Sequence, residues 1–277
     1  MKLQDKLLDL KHKDTALLAT NFYNFETLSG SLQAAAALNT PLILQVTRSS
    51  IEYMGLDVTV GLARSALKQY GVEGWLHLDH ADSYDLIKQC LEAGFDSVMI
   101  DASEKPFDKN VEITSRVVEL AAKFDANVEA ELGYVAKLGQ SKEKTGFTEP
   151  SEAKEFVDKT GVNALAVAIG TAHGFYTKEP KLDLERLEKI NEATGAALVL
   201  HGGSGVPSKS LQESIKRGIC KINLATEIKN IFMSTLKDTL NETDEIDLRK
   251  VFPYATSSIT ELVREKLEIV TLMKELT

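Results

Sequence analysis

Four of the chain's five histidines close short apolar runs, and acidic residues accompany them. "WLHLDHADS" carries His77, Asp79 and His80, and "SVMIDAS" carries Asp101. "NVEAELG" carries Glu129 and Glu131, "AIGTAHG" carries His173, and "VLHGGSG" carries His201. One histidine at the end of a strand is commonly hydrogen-bonded structure. Several polar groups on separate apolar runs each need a partner, and a shared divalent cation satisfies several at once. Three imidazoles with an open fourth position form the usual catalytic zinc arrangement. His80, His173 and His201 stand at or just past the ends of their runs and are the candidate ligands. His77 lies before Asp79, deeper in its run, and reads as a core or supporting group. His12, in a charged N-terminal stretch, reads as solvent-facing. The two cysteines, Cys90 and Cys220, are far apart, which argues against an iron–sulfur or structural cysteine–zinc site.

"HGGSGVP" and "NLATE" offer different chemistry. Small residues let backbone N–H groups approach an anion, and hydroxyl and amide side chains add donors. Gly202, Ser204, Asn223 and Thr226 are the natural donors. Gly-Gly-Ser-Gly is also ordinary turn chemistry; its place beside the histidines favours an anion site. Lys221, just before that second motif, keeps a Schiff-base lysine open as a competing mechanism, although the histidine set favours a metal.

These groups converge only if the elements that carry them do. Eight apolar runs alternate with helical patterns: Ala16 to Phe22, Pro41 to Thr47, Trp75 to His80, Ser97 to Ser103, Asn127 to Gly133, Ala164 to Gly170, Ala197 to Gly203 and Lys221 to Thr226. Near-continuous apolar strands between helices make a parallel sheet covered on its faces. Eight βα units in 277 residues predict an α/β fold, a closed (β/α)8 TIM barrel. An open doubly wound sheet is the runner-up, but no glycine-rich turn follows the first strand. In a barrel, active sites sit where the strands finish, and the loops after strands seven and eight commonly hold phosphate. Leu3, Leu7 and Leu10 predict an N-terminal helix. The chain from about Asn241 onward predicts extra C-terminal helix, packed on the barrel or on a partner subunit. Residues 134–149 read as a long polar loop. No composition shift marks a linker, so 1–277 is expected to be one domain.

Composition narrows the function. A formal charge of −9 argues against nucleic acid as a partner. No apolar run approaches the roughly 20 residues of a membrane span. The charged start does not resemble a signal peptide, and the sparse cysteines fit a reducing compartment. A cytoplasmic protein is expected.

Taken in order, "LHLDHADS", "GFDSVMIDAS", "NVEAELG", "AVAIGTAHGFY", "LVLHGGSGVP" and "KINLATE" closely resemble the class II, zinc-dependent ketose-bisphosphate aldolases, which act on fructose- or tagatose-1,6-bisphosphate. The match runs from about Asn21 to Glu227. It implies reversible cleavage of a phosphorylated ketose to dihydroxyacetone phosphate and an aldehyde, commonly glyceraldehyde 3-phosphate, within carbohydrate metabolism and glycolysis. By matching position, His80, His173 and His201 hold one catalytic Zn2+, with a monovalent cation as a further candidate. Asp79 is the acid that protonates the aldehyde oxygen in condensation. Glu131 is a carboxylate near the metal and Asp101 an auxiliary one. Gly174, Gly202, Ser204, Asn223 and Thr226 bind the shared phosphate, and Asn21 contacts substrate. A homodimer or homotetramer is implied. The zinc serves as a Lewis acid for the enediolate left by cleavage. For Asp79 to act as an acid, burial and neighbours are expected to raise its pKa.

The sequence departs from the family in three places. The loop "GYVAKLGQSKEKTGFTEP" lacks the family's Gly-Gly-x-Glu-Asp stretch, leaving Glu143, among lysines, as its carboxylate before Glu149. "QVTRSS" puts Arg48 near the rim, where it could meet a second anionic group. The usual Gly-Ser ending is missing. An aldolase-like protein that binds metal and sugar phosphate with altered range or little cleavage is therefore the alternative. A hydrolase using zinc-activated water is a third reading.

Overall fold

The structure, a computed structural model, describes residues 1–137, 146–174, 176 and 178–273. Among them, eight parallel strands close a barrel: β1 (Leu17–Asn21), β2 (Leu42–Thr47), β3 (Gly74–Ala81), β4 (Ser97–Ile100), β5 (Asn127–Leu132), β6 (Ala164–Val167), β7 (Ala197–Leu200) and β8 (Ile219–Leu224). Each pairs with its sequence neighbours and β8 pairs with β1, so no edge is left open. The expected (β/α)8 architecture is the one found. Several strands are shorter than the apolar runs that signalled them. Asp101 and His201 lie just past the ends of their barrel strands, and His173 sits in a separate two-residue strand, Ala172–His173, paired in parallel with Ala136–Lys137.

Helices follow the strands: α1 (Leu3–Lys11), α2 (Phe25–Leu38), α3 (Arg48–Met54), α4 (Leu56–Tyr70), α5 (Tyr84–Glu92), α6 (Phe107–Ala121), α7 (Pro150–Thr160), α8 (Leu184–Ala193), α9 (Ser208–Ile215), α10 (Thr226–Glu242) and α11 (Leu248–Val270). Their limits follow local chemistry. Asn24 and Thr27 form a reciprocal capping box at α2. Ser83 caps α5, and left-handed Gly71 and Gly161 end α4 and α7. The C-terminal helices pack on the barrel. α11 lies so close to α2 that a Cβ on Gly30 would fall 2.8 Å from Ile259 Cβ.

Strand alternation sorts the side chains. Leu76 and Leu78 of β3 join the large apolar layer between barrel and helices. Leu17, Ala19, Ile43, Trp75, Ala164, Ala166, Ala197 and Val199 fill the interior, which Leu3 and Leu7 of α1 stopper from below. Above this apolar plug the interior turns polar: His77, Gln45, Glu129 and Lys221 are fully buried. His77 therefore lies inside the barrel rather than at the rim with the other three histidines. Within the stretch 134–149, expected as a polar loop, Ala136–Lys137 form a short strand, and Tyr134 N–H donates to the Gly146 carbonyl at 2.8 Å. Glu143 lies outside the described residues. No helix among the described residues is long and apolar enough to cross a membrane.

Candidate active site

A regular β3 would point His77 and Asp79 inward and His80 outward, into the helix layer. The strand avoids that. The register between β3 and β4 shifts between Leu78 and Ala81, and His80 takes a left-handed φ of 50°. Positive φ at a non-glycine residue is uncommon and carries strain, which clusters at functional sites. Here it turns the His80 imidazole back to the rim, so that neighbours Asp79 and His80 line the same cavity.

Three histidines then meet. The ring centroids of His80 and His201 are 4.7 Å apart, those of His80 and His173 5.0 Å, and those of His173 and His201 5.6 Å. With Glu131 they present ligand atoms all within 4.8 Å of one another. Three of these buried atoms, His80 Nε2, His201 Nδ1 and Glu131 Oε2, make no hydrogen bond of good geometry; the last two only face each other at 3.4 Å. Buried polar atoms rarely stay unpaired, and a borderline, nitrogen-rich donor set of this kind suits a divalent metal. The residues present fit such an ion.

The second ring nitrogens of His80 and His201 are tied down. His80 Nδ1 lies 2.9 Å from Asp101 Oδ2. Asp101 is not itself in the cluster. Its other oxygen accepts from Ser103 N–H and Oγ, and Ser103 Oγ also lies 3.1 Å from Glu131 Oε1. His201 Nε2 lies 2.8 Å from Glu129 Oε1, while Lys221 Nζ donates to Glu129 Oε2 at 2.7 Å and to His77 Nε2 at 3.4 Å. With a donor at Nε2, neutral His77 carries its proton on Nδ1, 2.7 Å from Ser97 Oγ. His80, His201 and Glu131 are thus each oriented by a bond on the far side. Lys221, the competing nucleophile, is fully buried in this chain of contacts and does not line the cavity.

Charge follows from these contacts. Burial pushes His201 down, but its bond to Glu129 and the Glu131 carboxylate beside it outweigh that and raise it to about 10. His80 is also raised: burial opposes its charge, and Asp79 and Asp101 favour it more. Burial drives His77 down to about 3, helped by cationic Lys221, so it stays neutral. Asp79 departs from expectation. Burial pushes its pKa up, but His80, His201 and Lys221 together hold it below the ordinary value. It is a carboxylate here, not an acid poised near neutrality. Asn21 Nδ2 and Asn223 Nδ2 donate to its two oxygens at 3.3 and 3.4 Å, and Gln45 Nε2 steadies Asn21 Oδ1 at 2.7 Å.

The cavity over this cluster encloses ≈ 370 Å³ and gathers Asn21, Asp79, His80, His173, Gly174, Gly202, Ser204, Asn223 and Thr226. Asn223 turns its amide to Asp79. Gly202 has φ +65°, and a Cβ there would meet the Ala172 carbonyl at 2.4 Å, so only glycine fits. Tyr176 braces the same loop: its Oη accepts from Ala172 N–H at 2.7 Å and donates to the Gly202 carbonyl at 2.9 Å. Sequence reasoning missed Tyr23, Gln45, Thr47, Ser49 and Lys229, which also line the cavity. Their places depend on strand register and helix phase, and only Lys229, soon after "NLATE", gave a local signal. Arg48 is spent on Asp82, 2.5 Å away at the surface.

Known proteins share this architecture. The chain aligns over 97% of its length with the YdjI aldolase from Escherichia coli K12, covering 96% of that chain at 30% identity and a TM-score of 0.87. A putative fructose-1,6-biphosphate aldolase from Coccidioides immitis aligns over 97% of this chain and 96% of its own, at 27% identity and TM-score 0.88. The fructose-bisphosphate aldolase from Campylobacter jejuni shares the fold at 21% identity, TM-score 0.83, over 96% and 93% of the two chains. The family model for "Fructose-bisphosphate aldolase class-II" matches residues 1–274. The chain with this histidine and glutamate cluster belongs to the class II fructose-bisphosphate aldolase family, which are carbon–carbon lyases.

Proposed function

We propose that the protein reversibly cleaves a phosphorylated ketose, of the fructose- or tagatose-1,6-bisphosphate type, to dihydroxyacetone phosphate and an aldehyde. The observation that carries this reading is the converging ligand cluster of His80, His173, His201 and Glu131 under the same cavity as the small-residue loops at Gly202 and Asn223. His80, His173 and His201 would hold a divalent cation, with zinc the first choice for three imidazoles; Glu131 stands beside them. When bound, that ion supplies Lewis-acid stabilisation of the electron-rich carbon fragment left by C–C cleavage.

The remaining work falls to side chains. Asp79, ionised and gripped by Asn21 and Asn223, accepts the proton of the substrate hydroxyl in cleavage and returns it to the aldehyde oxygen in condensation. Gly174, Gly202, Ser204 and Thr226 seat the phosphate of the dihydroxyacetone half, with Asn223 between that seat and Asp79. Lys229 brings a cation to the same cavity. Asp101 aims His80, and Asn21 faces substrate. We take residues 1–277 as one domain, acting in the cytoplasm as a homodimer or homotetramer.

Purified metal-loaded protein should release triose phosphate from fructose or tagatose bisphosphate, and a chelator should abolish that release. No release from either sugar would reject the cleavage reading. Proton exchange into dihydroxyacetone phosphate separates an aldolase from the alternative binder, which the atypical loop around Glu143 favours: only the aldolase exchanges.

A further inference from the structure

We propose that Lys266, on the C-terminal helix, is a positioning residue that sets the anion affinity of the cavity through Glu227. The inference rests on the reading that the Gly202 and Asn223 loops take a phosphate. The inner face of α11 is otherwise apolar, built from Val251, Ala255, Ile259, Val263, Leu267 and Val270. Lys266 interrupts it, and at 8% exposure is almost wholly buried. A buried ammonium needs a partner, and this one has Glu227: Nζ lies 3.0 Å from Oε2 and 3.2 Å from Oε1.

Glu227 in turn grips the loop that lines the cavity. Its Oε1 accepts from Gly205 N–H at 2.9 Å, and its own N–H donates to Ser204 Oγ at 3.3 Å. The second bond has a consequence. Ser204 Oγ is already an acceptor, so its hydroxyl proton is free to be donated to a ligand. Gly205 has φ +78°, a conformation the Glu227 bond helps to hold.

This arrangement contains a conflict. Glu227 directly follows Thr226, so a carboxylate stands next to a cavity that must attract a dianion. Its acceptor oxygen is needed to hold Gly205, but its charge repels the ligand. Lys266 resolves the conflict by cancelling that charge from behind, without touching the ligand. The C-terminal helix is thereby tied to the anion loop at one point.

The test measures binding of inorganic phosphate and of dihydroxyacetone phosphate to the metal-loaded full chain, together with KM and kcat. Lys266→Met should raise Kd and KM roughly 3- to 10-fold, as expected of one uncompensated charge near the site, with kcat and metal affinity little changed. Lys266→Arg should restore wild-type values. Glu227→Gln keeps the acceptor and drops the charge, so it should bind phosphate at least as tightly as wild type. Glu227→Gln combined with Lys266→Met should recover most of the affinity lost in Lys266→Met. A purely structural role predicts instead that the double variant is no better than Lys266→Met. Unchanged affinity in Lys266→Met, or an unrecovered double variant, overturns the assignment. If Lys266→Met fails to fold, weaker phosphate binding by Glu227→Gln overturns it. If wild type takes up neither ligand, the phosphate reading of the cavity falls and this inference with it.

Discussion

Glu129 Oε1 and His201 Nε2 lie 2.8 Å apart, with both side chains shut away from solvent. That contact decides which nitrogen of His201 faces the other ligands. It also depends on Lys221, which balances the Glu129 charge from the opposite side.

Removing the charge of Glu129 should therefore have two separable effects. Glu129→Gln leaves Lys221 buried without its counter-ion, a loss of about 3–5 kcal/mol by the cost of breaking a buried pair. It also loosens the grip on His201, which should weaken metal binding roughly 10- to 100-fold. Adding Lys221→Met should restore stability, because both charges are then gone, but not metal affinity. Urea melts and competition against a chelator measure the two effects apart. Metal affinity that recovers together with stability would refute the orienting role.

His77 gives the acid limb of stability a definite sign. Its folded value, pushed down to about 3, lies below the ordinary 6.5. The unfolded chain therefore takes up a proton near pH 6.5 that the folded chain refuses. Stability from this group is whole above pH 6.5 and is lost as pH falls toward 3. The slope is about 1.4 kcal/mol per pH unit. Asp101 and Glu129, both held below their ordinary values of 3.8 and 4.5, act in the same direction at lower pH. Denaturant titrations of His77→Asn between pH 7 and 5 should show a shallower decline than wild type. Parallel declines would locate the acid sensitivity elsewhere.

Asp79→Asn keeps the shape of the side chain and removes its basicity. Cleavage should slow by roughly 10²- to 10⁴-fold, the range for losing a general acid–base group. Metal content, measured on the same preparation, should stay at the wild-type level. Retained turnover would assign proton transfer to another group.

Gly202→Ala tests the turn beneath the anion seat. The positive φ and the clash with the Ala172 carbonyl should cost about 1–3 kcal/mol of stability. The displaced loop should raise KM more than it lowers kcat. An unchanged KM would mean that the phosphate is held elsewhere.

Much of this arrangement was legible in the residues alone. The runs Ser97 to Ser103, Ala164 to Gly170 and Ala197 to Gly203 announced their strands because apolar, β-branched stretches alternated with helices stopped by Gly71 or Gly161. The candidate ligand trio is read from each histidine's place at or after its run, and the three rings do cluster, with Glu131 beside them. What could not be read were relations set by register. Glu129, Lys221 and His77 come from β5, β8 and β3, and nothing local marks them as neighbours. The left-handed turn at His80 was also hidden, since simple alternation sends that ring outward. Asp79 was expected to be raised by burial, but the positive charges around it become visible only when the strands are assembled. Lys266 carries no local signal, because its partner Glu227 comes from the first turn of α10.

Leu3 and Leu7 close the lower end of the barrel, so among the described residues the cavity opens at the rim that Lys229 lines. On the proposed reading, a ketose that enters past Lys229 and is split there sends both fragments out by that rim. On that reading, an excess of either fragment in solution should slow the clearance of the other. Turnover measured late in a reaction should accordingly lag behind the initial rate sooner than substrate depletion alone requires.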